Sequence, residues 1–345
     1  MARPGRLHVP HATYFVVNRF RTGIETLAAS PTRPHSREER DQIEVNRRRF
    51  EALLNYLRRR WCARVHAYCW LPDSALLLLK IGAAPLESIM HTLRGQFSHH
   101  LREKDSRSGP AYAGRYFVLM IDPDDYLLDF ARHIFWSPVH AGLCRNPLGY
   151  EHGSARACAG DPDPASLCDS TLLHALTLRG QQSRLGFSRF LTGAPTPGFL
   201  RLLAHGSRLD RRIAGSSTFV REAHRSAARR PPAPAPATII SWVASRLSLD
   251  SAEIVGLPRR AHSVEGRALV AWLATCAGTA TLAQVARWFG CVPSTLHRAV
   301  DHYSAVRPER FNEQVLVEFT SALVPTDIKH VAAERDLDAA TDGED

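Results

Sequence analysis

The sequence predicts an α+β protein. A ferredoxin-like antiparallel sheet with helices on one face comes first, and all-α C-terminal domains including a helix-turn-helix follow. Three observations lead there. Four short β-rich runs alternate with helical periodicity up to residue 121 in the order β-α-β-β-α-β, with a further helix appended. From residue 169 onward, apolar residues recur at helical spacing without a further strand signal. A proline-rich run, Arg229 to Pro236, separates two helical regions.

Taken in order, Ala12 to Phe20 alternates and is rich in β-branched and aromatic residues, which predicts a strand. Residues 39–60 carry Ile43, Val45, Phe50, Leu53, Leu54 and Leu57 at helical spacing. Val65 to Leu71 reads as the second strand. Pro72-Asp73-Ser74 is a turn signal, and Ala75 to Ile81 is a continuous apolar run suited to a buried strand. Pro85 to Lys104 reads as a helix and Arg115 to Ile121 as the fourth strand. The helix Asp122 to Trp136 has an Asp cap, Pro123 at its first position and Ser137-Pro138 as its stop. In 169–227, Leu172, Leu173, Leu176, Leu178, Leu185, Phe187 and Phe190 read as core, and Ser217 as a helix cap.

These signals divide the chain into five parts. Residues 1–160 form a first domain, closed by Asp161-Pro162-Asp163-Pro164. Residues 165–228 form a helical middle segment, 229–236 an extended linker, 237–320 a C-terminal domain, and 330–345 an acidic disordered tail.

Composition narrows the function. Lys and Arg number 44 against 34 Asp and Glu, and nearly all the excess is arginine. A planar, permanently charged donor fork suits phosphate, so a polyanionic partner is favoured, DNA or RNA first. The seven cysteines are odd in number and lack CxxC spacing, which argues against a disulfide framework or zinc module and for reduced thiols. No apolar run reaches membrane-spanning length, and MARPGRLHVP lacks an apolar signal core. A cytoplasmic protein without a membrane partner is expected.

Several motifs resemble the REP-associated tyrosine transposases, a branch of the HUH single-strand transposases of the IS200-like superfamily. They are MARPGRLHVPHATYFVVNRF, His66-Ala67-Tyr68-Cys69-Trp70-Leu71-Pro72, Leu93-Arg94-Gly95-Gln96-Phe97, Gly114-Arg115-Tyr116, Asp125-Tyr126-Leu127-Leu128 and Ser137-Pro138-Val139-His140-Ala141-Gly142-Leu143. The match runs in order over residues 1–160. The resemblance implies two histidines on a strand gripping Mg²⁺ or Mn²⁺, and a helix tyrosine that attacks DNA. The family pattern Pro-Asn-His-apolar-His reads Pro72-Asp73-Ser74-Ala75-Leu76 here. The pattern Tyr-Ile-x-x-Asn-Pro-Val reads His133-Ile134-Phe135-Trp136-Ser137-Pro138-Val139. The family positions are thus held by Ser74, Leu76, His133 and Ser137. A degenerate active site is expected, with no metal and no cofactor. His133 and Asp73 are replacement candidates. Tyr126 lies about two turns before His133 on the same helix and reads as packing. His99 and His100 are helix neighbours on a solvated face and do not chelate together.

Residues 237–303 resemble the DNA-binding domain of the replication initiator DnaA. The stretches are Ile239-Ile240-Ser241-Trp242-Val243, Ile254 to Arg260, Arg267 to Leu273, Thr281 to Gly290 and Pro293 to Val300. Leu282, Val285, Ala286 and Phe289 make one helical face, Gly290 permits a tight turn, and Pro293 opens the next helix. That is a helix-turn-helix. Ser294, Thr295, His297 and Arg298 are its groove-reading candidates, and Arg259, Arg260 and Arg267 its phosphate clamps. Val292 and Pro293 stand where the initiator often has an acidic residue and a histidine, so its recognised sequence does not carry over.

The leading reading is an inactive, nucleoid-associated relative that binds hairpin or single-stranded DNA through residues 1–160 and duplex through the C-terminal module. Arg3, Arg6, Arg94 and Arg115 are its backbone contacts in the first domain. An active transposase using replacement residues, and a subunit that dimerises with itself or with an active relative, are the alternatives.

Overall fold

The computed structural model describes residues 7–21, 26–30, 34–104, 110–163, 165–168, 172, 175, 184–193, 196–228, 234–256 and 260–323. Arg3, Arg6, Leu173, Leu176, Leu178, Arg259 and the acidic tail 330–345 lie outside them. The chain forms two units, one ending at Arg230 and the other starting at Pro231.

The class is α+β, and the first unit is built on a sheet. Strand β1 (Thr13–Arg19) is central. It pairs antiparallel with β3 (Ser74–Lys80) on one side and β4 (Phe117–Ile121) on the other. Strand β2 (Arg64–Trp70) lies outside β3, and a two-residue β5 (Ile213–Ala214) runs parallel to β4. The order is β2-β3-β1-β4-β5, so the sheet is mixed where the sequence suggested a wholly antiparallel one.

Alternation sorts side chains onto two faces, and both are buried. Tyr14, Val16, Ala75, Leu77 and Leu79 enter one core. Phe15, Leu76 and Leu78 enter the other. In β2, Val65 pairs with Leu79 and Ala67 with Leu78, which leaves the buried His66 as the extra residue of a bulge. The bulge explains why Val65 and Ala67, two apart, serve opposite faces.

Helix α1 (Arg37–Trp61) begins at a capping box between Ser36 and Glu39. Its Phe50, Leu53, Leu54 and Leu57 join Ile89, Met90, Leu93 and Phe97 of α2 (Leu86–Lys104) over the first face. Helix α3 (Pro123–His140) covers the second with Leu127, Leu128, Phe130, Ala131, Ile134 and Phe135. Helices therefore lie on both faces, not one. The physical reason is in β3 itself: four successive leucines, Leu76 to Leu79, need cover on either side.

Helix α3 runs through Ser137-Pro138, the expected stop, to His140. Pro138 lies inside the helix and brings no amide donor to the Ile134 carbonyl. Ser137 Oγ donates to the His133 carbonyl at 2.9 Å. The last turn is carried by Ala141 N to Ser137 O at 3.0 Å and Leu143 N to Pro138 O at 2.8 Å.

Residues 165–228 belong to this first unit. Helices α4 (Ala155–Cys158), α5 (Arg184–Thr192), α6 (Pro197–His205) and α7 (Ser217–Ala228) surround the sheet. Leu172, Phe187, Phe190 and Phe199 enter the α3 core, and Leu167, Ile213 and Val220 the other. Within the run read as a break, Asp163 is tied to the residues that follow it and to β2. The Asp163 carboxylate accepts from Leu167 N at 2.8 Å, Cys168 N at 2.9 Å and the Tyr68 hydroxyl at 3.2 Å. The cap of α7 is Ser216, whose Oγ accepts from Phe219 N at 3.1 Å, one residue before the expected Ser217.

The second unit is helical: α8 (Pro236–Leu247), α9 (Ser251–Val255), α10 (Ala261–Cys276), α11 (Leu282–Trp288), α12 (Pro293–Val306) and α13 (Glu313–Ala322). Helix α10 is its centre, buried continuously from Ala268 to Cys276. A capping box of Thr281 and Gln284 starts α11. Gly290, at φ +58°, makes the turn into α12. Among the described residues no helix is long and apolar enough to cross a membrane, and all seven cysteines are free thiols.

Candidate nucleic-acid interface

Two arginines singled out from the sequence meet in the first unit. Arg94, on the outward side of α2, and Arg115, in the loop before β4, line one groove of about 830 Å³. Arg115 stands in this loop because β4 begins only at Phe117. The loop returns to β1 as a broken continuation of the sheet. Arg21 N donates to Ala111 O at 3.1 Å, Ala113 N donates to Arg19 O at 3.0 Å, and Phe20 bridges Tyr112. Between Tyr112 and Phe117 the pairing is interrupted, and Gly114 takes φ +144°. The Gly-Arg-Tyr motif therefore bulges outward, with Arg115 exposed.

Residues the sequence reading passed over complete the groove. The Arg94 guanidinium sits 4.1 Å from the Tyr112 ring centroid and 5.6 Å from that of Tyr116, and donates to the Gly114 carbonyl. Trp61, His91 and Ser98 line the same space, and Glu87 adds a carboxylate. The signal that would have found Tyr112 and Tyr116 is aromatic residues interleaved with Arg115 in Ala111-Tyr112-Ala113-Gly114-Arg115-Tyr116.

His100 is not on a solvated face. Its Nε2 lies 3.1 Å from Asn46 Oδ1, and its ring stacks on Phe97, so it joins α2 to α1. His99 is exposed and faces Glu103.

In the second unit, Ser294, Thr295 and Arg298 are exposed at the start of α12, while Leu296 and Val300 anchor its buried side. His297 is half-buried, with Nε2 3.3 Å from Asp301 Oδ2. Arg260 is exposed at the start of α10. Arg267, expected as a phosphate clamp, turns inward: it donates to the carbonyls of Ile254 at 3.2 Å and Gly256 at 2.6 Å, closing the end of α9. Gly266 lies against Ile254, and its neighbour Arg267 meets the orphan carbonyls at that helix end. Burial pushes its pKa down.

The four positions matching the family's catalytic residues lie around β3 and α3. Ser74 is buried and its Oγ donates to Asp73 Oδ1 at 2.9 Å. Leu76 is buried on the face that α3 covers. The ring centroid of His133 lies 5.7 Å from that of Phe15 and 6.1 Å from that of Phe199. Burial first, then nearby His140, lowers the His133 pKa to about 4. Ser137 spends its hydroxyl on the helix backbone. Tyr126 is half-buried and packs against the same core. Among the described residues no three His, Cys, Asp or Glu side chains come together as metal ligands do.

No family model matches the chain, and no curated protein matches it. A solved structure of a REP-associated tyrosine transposase bound to a REP hairpin is similar, with TM-score 0.38 and 14% identity, over 49% of this chain and 92% of that one.

Proposed function

We propose that this chain is a DNA-binding protein of the REP-associated tyrosine transposase type without strand-transfer chemistry. Unpaired or hairpin DNA lies along the groove of Arg94 and Arg115. Duplex is read by a helix-turn-helix made of α11 and α12. The observation that carries the reading is the start of α12. Ser294, Thr295 and Arg298 project together from a helix that follows a glycine turn and is anchored behind by Leu296 and Val300. That is how a recognition helix presents short polar and cationic side chains to a major groove. Exposed Arg260 supplies a phosphate contact, which sets register without reading sequence.

The residues at the family's catalytic positions do not fit a divalent ion. Leu76 offers no donor atom, and the alcohol of Ser74 is already committed to Asp73. His133 is an imidazole wedged between aromatic rings. No step is routed through a metal here. The protein in this reading works at the nucleoid, by itself, as a homodimer or beside an active relative.

Binding of labelled duplex and hairpin oligonucleotides across a salt series tests the proposal. Affinity is expected to fall by orders of magnitude between about 50 and 200 mM salt, as phosphate contacts require. Thr295→Ala with Arg298→Ala is expected to weaken duplex binding and spare hairpin binding. No binding at any ionic strength, or equal loss on both probes, refutes the two-module reading. A covalent adduct with a hairpin in manganese refutes the loss of chemistry.

A further inference from the structure

Resting on the reading of α11 and α12 as a helix-turn-helix, we propose that Val292 selects the base met by the tip of the recognition helix, by packing on the C5-methyl group of a thymine. Three observations converge. The first is the exposure of the side chain. Val292 directly precedes α12 and is 60% exposed, while Leu296 and Val300 carry the packing behind it. One exposed apolar residue alone is ordinary. This one shares its end of the helix with Ser294 and Thr295, which are also exposed. The N-terminal residues of a recognition helix are the ones that meet base edges.

The second observation is that helix stability does not account for a valine there. Val292 occupies the cap position of α12 and makes no side-chain hydrogen bond to the first turn. Serine, threonine, aspartate or asparagine would hold that turn better. In the same unit Asp250, Thr281 and Asn312 cap α9, α11 and α13 in this way. Val292 neither caps its helix nor fills the core.

The third observation is the chemistry of the tip. Helix N-termini hold phosphate through free amide donors. Here Pro293 has no amide hydrogen, and the amides of Thr295 and Leu296 donate to the Val292 carbonyl at 3.1 and 3.4 Å. A valine side chain and a proline ring stand exposed there instead. Among the base edges of a major groove, donors and acceptors mark every pair, and the apolar mark is the thymine methyl. The contact is also prepared in advance. Cys291 N donates to Ala286 O at 3.0 Å, and Val292 is extended at φ −79° and ψ 142°. A β-branched side chain has little rotamer freedom to lose on contact.

The test uses the full chain and a random-sequence duplex library, from which the tightest sites are selected. Each thymine of a selected site is then replaced in turn by deoxyuridine, which lacks only the methyl group. At one thymine or more, native protein is expected to lose about fourfold in Kd, the weight of one buried methyl-sized group. Val292→Ser removes the apolar contact and supplies a good cap, so the helix is kept. At one of those positions it is expected to bind the thymine and deoxyuridine versions alike, about as weakly as native protein binds the latter. Selection from a second library carrying 5-methylcytosine separates the other source of such a methyl. A requirement for that base, lost in Val292→Ser, overturns the assignment to thymine. Native protein indifferent to every replacement, or a penalty that persists in Val292→Ser at every sensitive position, overturns the inference and leaves the helix-turn-helix reading standing. Failure of the native chain to enrich any duplex refutes that reading, and the inference with it.

Discussion

Acidification is expected to weaken this fold through His133, and His133→Phe is expected to remove most of the effect. The imidazole lies against Phe15 and Phe199 on the buried side of α3. Burial, and then His140, hold its pKa at about 4, against 6.5 for an ordinary imidazole. The sign follows from which state takes the proton. Below pH 6.5 the unfolded chain protonates this side chain, while the folded chain stays neutral until near pH 4. Stability is therefore lost as pH falls through that window and is untouched above it. At pH 5 the unfolded form is favoured by a factor of about thirty from this group, or about 2 kcal/mol. Phenylalanine keeps a ring of similar size among aromatic neighbours and has no proton to bind. Urea unfolding of native and variant protein at pH 7 and pH 5 measures it. The drop in stability between the two pH values is expected to be about 2 kcal/mol smaller in the variant. The same drop in both proteins would refute the argument, because every other titrating group is shared.

Two further outcomes follow from the hydrogen bonding. Ser154 is fully buried, and its Oγ accepts from Tyr68 N at 2.8 Å and sits 3.1 Å from Tyr68 O. Ser154→Ala is expected to destabilise the first unit by about 1–3 kcal/mol, read as a lower Tm, by stranding a backbone donor. Arg267→Ala is expected to destabilise the second unit by a similar amount and to leave the salt dependence of duplex binding unchanged. A shallower salt slope would instead mark Arg267 as a phosphate contact.

The fold was legible wherever local chemistry alone decides it. The four long strands, the Asp122 cap, Pro123 and the Gly290 turn follow from residue types with strong backbone preferences. What escaped the sequence depends on distant partners. The pair Ile213–Ala214 is too short to announce a strand, and it forms one only because β4 offers an edge. Asp163 looks like a breaker until its acceptors meet Leu167, Cys168 and Tyr68. At the groove, charge marked Arg94 and Arg115. It marked Arg267 of the second unit as well, whose charge is turned inward, and it said nothing of Tyr112, which is set in place by Phe20 and Arg94.

The margins of the sheet carry one more implication. Beyond β4, Met120 N donates to Arg212 O at 2.9 Å and Asp122 N to Ala214 O at 2.8 Å. Beyond β2, Trp70 N donates to His152 O at 2.8 Å, Ser154 N to Tyr68 O at 3.0 Å, and Val65 bridges Cys168. Both flanks are thus zipped by the chain's own later segments, which shields the strands from strangers. Among the described residues, the strand edges met by these later segments are not open ladders for a second copy.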